Sequence, residues 1–294
     1  METHDSLLQA IEQGSFMALA RALTLVENDI YPAKALLRSL KIKGDVPVIG
    51  ITGPPGAGKS TLVNEIASYF VAKKMKIAIL AVDPTSPFNF GSLLGDRIRM
   101  SSHFNNPGIY IRSVATRGAL GGISAKTIEM VDVMKSADFD LILVETVGVG
   151  QSELEIAGLA DRTVVVLVPE SGDEIQNIKS GLMEIADGFV VNKSDRDGAA
   201  LFAANLKKLV QDKPIPVFET VADQGAGITE LCEWLTAPGD FNRERKSYLM
   251  AEKAFKIIQD YRMKDVDRAK LRADLAIALT LPEFNVYKFI DKWL

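Results

Sequence analysis

Gly53 to Ser60 reads GPPGAGKS, preceded by the apolar run VPVIGIT and followed by TLVNEIASYF. No other segment constrains the fold as strongly. Glycines let the backbone curl until successive N–H groups face one phosphate. A helix that starts there adds about half a positive charge. Lys59 then reaches the β- and γ-phosphates, and the Ser60 hydroxyl takes a place on Mg²⁺. The expected phosphate-binding residues are Gly53, Pro54, Pro55, Gly56, Ala57, Gly58, Lys59, Ser60 and Thr61. Such a loop works only between a strand and a helix, so it already demands an α/β arrangement.

The rest of the chain agrees. Short apolar runs alternate with helical stretches: Val46 to Thr52, Lys76 to Val82, Ile109 to Ser113, Asp140 to Glu145, Thr163 to Pro169, Gly188 to Asn192 and Ile215 to Glu219. Ser60 to Lys73 and Ala125 to Lys135 are two of the helical segments between them. This order predicts a mainly parallel central sheet flanked by helices. Residues 6 to about 41 carry apolar positions at helical spacing, with a break at Asn28 to Pro32. After Pro238 and Gly239 the pattern turns to polar amphipathic helices, interrupted at Pro282. From Phe241 onward 12 basic residues face 8 acidic ones, a net +4, while the preceding 240 residues carry −8. The expected organisation is an N-terminal helical extension (1–44), a P-loop domain (45–238) and a C-terminal helical arm (239–294).

The base is read from Phe189 to Asp195, FVVNKSD. A carboxylate only accepts hydrogen bonds. Guanine offers N1–H and its exocyclic amine side by side, so Asp195 can hold both, whereas adenine would present a lone pair. Lys193 is expected along the base plane, and Asn192 as a tie from this loop to the phosphate loop.

Asp83 ends one buried run and Glu145 another. Strand ends at the C-terminal edge of a parallel sheet face the ligand crevice, so both carboxylates are candidates for Mg²⁺ beside Ser60. TVGVGQSE follows, in which the Gly148 amide is placed to meet a γ-phosphate. Asp96, in GDRIRM, is open between three roles: a magnesium ligand, an orienter of the attacking water, and a helix cap.

Composition narrows the class. The 294 residues are 47% hydrophobic and 24% charged, which suits a globular chain with a sizeable core. No apolar run approaches the ~18 residues of a membrane span, and no leader pattern opens the chain. Cys232 stands alone, so a cytoplasmic protein without disulfides is expected. A net charge of −4 argues against a nucleic-acid partner held by phosphate contacts.

Several segments together resemble the MeaB/ArgK family. They are Asp83 to Pro87 (DPTSP), GDRIRM, IRSVATRGALGG (Ile111 to Gly122), ETVGVGQSE (Glu145 to Glu153) and SGDEIQNIK (Ser171 to Lys179). The resemblance covers about residues 15 to 235, and ETVGVGQSE is its most specific part. Members of that family are P-loop GTPases that chaperone adenosylcobalamin-dependent acyl-CoA mutases such as methylmalonyl-CoA mutase. The resemblance implies GTP hydrolysis that is slow alone and stimulated by the mutase. It implies three switch segments, about 83–100, 145–157 and 170–181. Lys179 matches a residue implicated in stimulated hydrolysis, with Arg97 and Arg99 as other candidates for the completing cation. Lys59, Asp96 and Lys179 are therefore the expected catalytic residues.

Two departures stand out. Val221 and Ala222 occupy a guanine loop that usually reads Ser-Ala, which leaves the Ala222 amide to meet guanine O6. The C-terminal zone is shorter than the family's dimerisation arm; a homodimer is expected from that arm. Three other readings compete. A nickel-type metallochaperone GTPase shares the architecture, but His4, His103 and Cys232 form no ligand cluster. A partitioning ATPase would carry a lysine where Pro54 and Pro55 stand. A nucleotide-dependent kinase linked to amino-acid transport is compatible with the phosphate loop, although NKSD favours hydrolysis of GTP.

Overall fold

The structure, a computed structural model, describes residues 4–83, 103, 106–115, 125–146, 156–170, 182–212, 215–238, 243–280 and 283–293. The chain forms two compact units, Met1–Leu249 and Met250–Leu294.

The first unit is built on strands β1 (Val48–Thr52), β2 (Ile77–Asp83), β3 (Ile109–Ala115), β4 (Leu141–Thr146), β5 (Arg162–Leu167), β6 (Gly188–Asn192) and β7 (Val217–Thr220). They form one sheet in the order β3-β2-β4-β1-β5-β6-β7, with every pairing parallel. The four strands β1, β4, β5 and β6 are buried along their whole length. Parallel strands covered on both faces must be apolar throughout, which is why LILV and VVVL show no alternation.

Three helices precede the sheet: α1 (His4–Glu12), α2 (Phe16–Glu27) and α3 (Ala33–Ser39). Ser15 starts α2 by accepting from the Ala18 amide at 3.3 Å. Leu7, Ile11, Leu19, Leu23, Val26 and Leu36 are buried in one cluster with Val48, Leu80, Ile142 and Val144 of the sheet. Helix α5 (Ala125–Lys135) adds Met130, Val131 and Met134 to that cluster. The opposite face of the sheet is covered by α4 (Lys59–Ala72) and by α8 (Ile228–Thr236), through Leu62, Ile66, Phe70, Leu231 and Leu235. The short α6 (Leu182–Ile185) precedes β6, and α7 (Ala199–Leu209) packs Phe202 and Leu206 on Val165, Leu167 and Phe189.

The second unit holds the end of α9 (Arg243–Arg262), then α10 (Arg268–Ala278) and α11 (Val286–Ile290). Asp267 caps α10 at the amides of Ala269 and Lys270, and Asn285 caps α11 at those of Tyr287 and Lys288. Phe255, Ile258 and Tyr261 of α9 are exposed, as are Ile277 and Tyr287. Among the described residues no helix is long and apolar enough to cross a membrane.

Candidate functional site

β1 delivers the chain to Gly53, and α4 carries it away from Lys59. Two glycines make the intervening loop possible. Gly53 has φ +140°, and a Cβ there would lie 2.1 Å from the carbonyl oxygen of Val166. Gly58 has φ +86°, and its Cβ would meet Asn192 Nδ2 at 2.4 Å. A side chain fits neither place. Gly58 also stands at the N-cap of α4 without a side-chain cap, so the first-turn amides are not claimed by one. Amides in that position form an anion site.

Lys59 is buried, and its Nζ donates to the carbonyls of Gly53 (2.8 Å) and Pro54 (2.9 Å). These bonds hold the amine over the loop it has to serve. The Ser60 hydroxyl donates to Glu145 Oε1 at 2.7 Å, and both side chains are buried. Sheet order explains this contact: β4 lies beside β1, with Ile51 opposite Glu145. Two hard oxygen donors at the mouth of a phosphate loop suit Mg²⁺ by their chemistry. Asp83 closes β2; its side chain lies outside the described set. Asp96, Arg97, Arg99, Gly148, Gln151 and Lys179 also lie outside the described residues. Among the described residues no group of three His, Cys, Asp or Glu side chains gathers as a metal-holding cluster.

The second half of the site hangs on Asn192, at the end of β6. Its Nδ2 donates to the Ala57 carbonyl at 2.9 Å. Its Oδ1 accepts from the Thr220 hydroxyl at 3.1 Å and from the Ala222 amide at 3.2 Å. One buried amide thus fastens the phosphate loop, the end of β7 and the turn at Ala222. Lys193 adopts a left-handed φ of +56°, a conformation that costs about 1–2 kcal/mol outside glycine. From there its Nζ donates to the Gly56 carbonyl at 2.7 Å. Ser194 donates both its amide and its hydroxyl to the Thr220 carbonyl. Asp195 follows, exposed at the tip of this loop. The structure therefore brings Asn192, Lys193 and Ala222 together with the loop 53–58.

Sequence reasoning missed Thr220, the partner of Asn192 and Ser194. Its one signal was a threonine closing a half-buried edge strand just ahead of Val221-Ala222. It also missed the ion pair of Arg196 with Glu170, which ties the loop after β6 to the loop after β5 and holds the Glu170 carboxyl below its usual range. His103 is buried, with Nε2 3.1 Å from the Ser68 hydroxyl on α4.

Comparison with known proteins adds the following. The family model described as methylmalonyl-CoA mutase-associated GTPase MeaB matches residues 19–267. A relative from Pyrococcus horikoshii is 44% identical over 263 residues, 86% of this chain and 82% of its own. The GTPase ArgK of Escherichia coli is 39% identical over 196 residues, 65% of this chain and 59% of its own. A crystal structure titled LAO/AO transport system kinase superposes with a TM-score of 0.69, covering 99% of this chain and 97% of that one at 24% identity. That likeness speaks for the fold.

Proposed function

The chain belongs to the methylmalonyl-CoA mutase-associated GTPase family, MeaB, and is a GTPase; we propose that it serves as the chaperone of an adenosylcobalamin-dependent acyl-CoA mutase. On this reading it protects or reactivates the mutase, or gates the loading of its cofactor. The observation that carries the reading is the family match over residues 19–267.

The site supports the chemistry in these terms. GTP lies with its phosphates over 53–58, facing the amides that open α4. Lys59 offers its charge to the β- and γ-phosphates from its seat on the Gly53 and Pro54 carbonyls. Asp195 accepts from guanine N1–H and the 2-amine. The Ala222 amide turns to guanine O6, and Asn192 Oδ1 remains satisfied by Thr220. Ser60, Glu145 and Asp83 hold Mg²⁺, which when bound neutralises charge on the phosphates. Asp96 and Gly148 complete the phosphate side.

Intrinsic hydrolysis is slow for want of a completing cation. Lys179, or Arg97 or Arg99, supplies it once the mutase docks; a cation of this kind is worth roughly 10³–10⁵ in rate. The γ-phosphate orders the segments 83–100, 145–157 and 170–181, and its loss releases them. The exposed Phe255, Ile258 and Tyr261 on one helix favour a homodimer through the C-terminal arm. The cytoplasm is the compartment we assign to this work.

Phosphate release from GTP, with and without the host's adenosylcobalamin-dependent mutase and with ATP as control, tests the reading. A slow basal rate that rises many-fold with the mutase, for GTP alone, supports it. A rate indifferent to every such mutase removes the mutase as client and leaves the GTPase.

A further inference from the structure

β1 and β4 pair through their backbones from Val48–Ile142 to Ile51–Glu145. One residue further along, a different bond continues the contact: the Thr146 hydroxyl donates to the Thr52 hydroxyl at 2.9 Å. Both side chains are sealed from solvent, at 0% and 1% exposure. The place matters. Thr52 precedes Gly53, the first residue of the phosphate loop. Thr146 follows Glu145, whose carboxylate accepts from Ser60 on the other face of the sheet.

Packing alone does not call for hydroxyls here. The preceding positions on this face are Val48 and Ile142, then Gly50 and Val144. Valine matches threonine in shape and avoids burying a polar group. Beneath the pair the floor is full, because Ile156 and Ala160 fill the space a Cβ on Gly50 would need, at 2.7 and 2.9 Å. Thr52 still pairs with Val165 of β5 and Thr146 with Val82 of β2, but between β1 and β4 the backbone pairing stops at Ile51–Glu145, and the two buried hydroxyls carry that contact one step further, to where the phosphate loop begins.

We propose that Thr52 and Thr146 are positioning residues. Their bond holds the end of β4 against the root of the phosphate loop, keeps Glu145 opposite Ser60, and so sets the affinity of the site for the divalent cation that accompanies the nucleotide. The inference rests on the reading that Ser60 and Glu145 hold Mg²⁺.

The test uses the full chain and a fluorescent GDP analogue titrated at a series of Mg²⁺ concentrations. Thr52→Val and Thr146→Val are expected to raise the Mg²⁺ concentration for half-maximal binding about three- to tenfold each, the span of one lost hydrogen bond. The double variant is expected to go no further than either single one, because both remove the same bond. Thr146→Ser, which keeps the hydroxyl, is expected to restore the wild-type Mg²⁺ dependence. If a valine variant does not fold, Thr146→Ala removes the same hydroxyl and gives the same readout. Lower melting temperatures with unchanged Mg²⁺ dependence would make the pair structural and overturn the proposal, as would fully additive shifts. Wild-type binding that ignores Mg²⁺ would instead overturn the metal reading beneath it.

Discussion

Asn192 and Ala57 stand 135 positions apart in the chain, yet the amide of one donates to the carbonyl of the other at 2.9 Å. That bond joins the loop after β6 to the phosphate loop. Gly58 lies directly under it, with no room for a Cβ beside Asn192. Asn192→Ala removes three hydrogen bonds at once and is expected to weaken GTP and GDP alike, about 10- to 100-fold. Gly58→Ala is expected to do the same from the other side. Titration with fluorescent nucleotides checks both, and a loss confined to GTP would contradict a shared framework role.

On the proposed reading, Asp195 decides the base by accepting two hydrogen bonds. Asp195→Asn is expected to cost GTP about 10- to 100-fold in affinity, since each bond to a charged acceptor is worth ~1.5–3 kcal/mol. The same variant is expected to favour xanthosine triphosphate, because an amide can donate to the 2-oxo group. Competition between the two nucleotides measures this. Unchanged GTP affinity would remove Asp195 from the base site.

Cys232 is fully buried in α8, and that burial pushes its thiol up to about 12. The folded value lies above the unfolded one. The neutral thiol therefore contributes its full stability below about pH 8.5 and loses it as pH climbs toward 12. The melting temperature of the wild type is expected to fall more steeply above pH 9 than that of Cys232→Ala. A thiol reagent at pH 8 is expected to modify the unfolded chain and spare the native one.

Arg162 begins β5 and caps the end of α8. Its guanidinium donates to the carbonyls of Trp234 and Ala237 and lies 5.0 Å from the Trp234 ring centre. Burial lowers its pKa from the usual arginine value. Arg162→Met takes the guanidinium donor from both carbonyls, leaving that of Trp234 only the Ala237 amide, and is expected to cost about 1–3 kcal/mol. Arg162→Lys is expected to recover only part of this, since an ammonium is a point charge and cannot stack. Thermal melts of the two variants distinguish them.

Much of this was legible in the residues. GPPGAGKS carries its own geometry, because glycines at fixed offsets and a following helix suffice to form an anion site. The seven strands were readable as buried apolar runs. Some of their ends moved at prolines: β7 begins at Val217 rather than Ile215, since Pro216 has no N–H for the ladder, and β5 ends at Leu167, two residues before Pro169; β3 and β4 instead run on to Ala115 and Thr146. NKSD was readable as a candidate base loop because its letters are adjacent, and the structure sets its Asn192 and Lys193 on the phosphate loop.

The contacts that assemble the site were readable only in part: Asn192 was expected to tie its loop to the phosphate loop and Glu145 to stand beside Ser60, but the partner atoms, and the contacts of Thr52 with Thr146 and of Thr220 with Asn192, were not. Ser60 meets Glu145, Asn192 meets Ala57 and Thr52 meets Thr146 across 85, 135 and 94 positions. Local sequence determined that each strand would form and what each loop would carry. Strand order decided which loops would touch. Setting β4 beside β1 brought Glu145 to Ser60, and setting β5, β6 and β7 on the other side brought Thr220 to Asn192. That order follows from how the helices pack on both faces and from the handedness of the crossovers, which no single segment encodes.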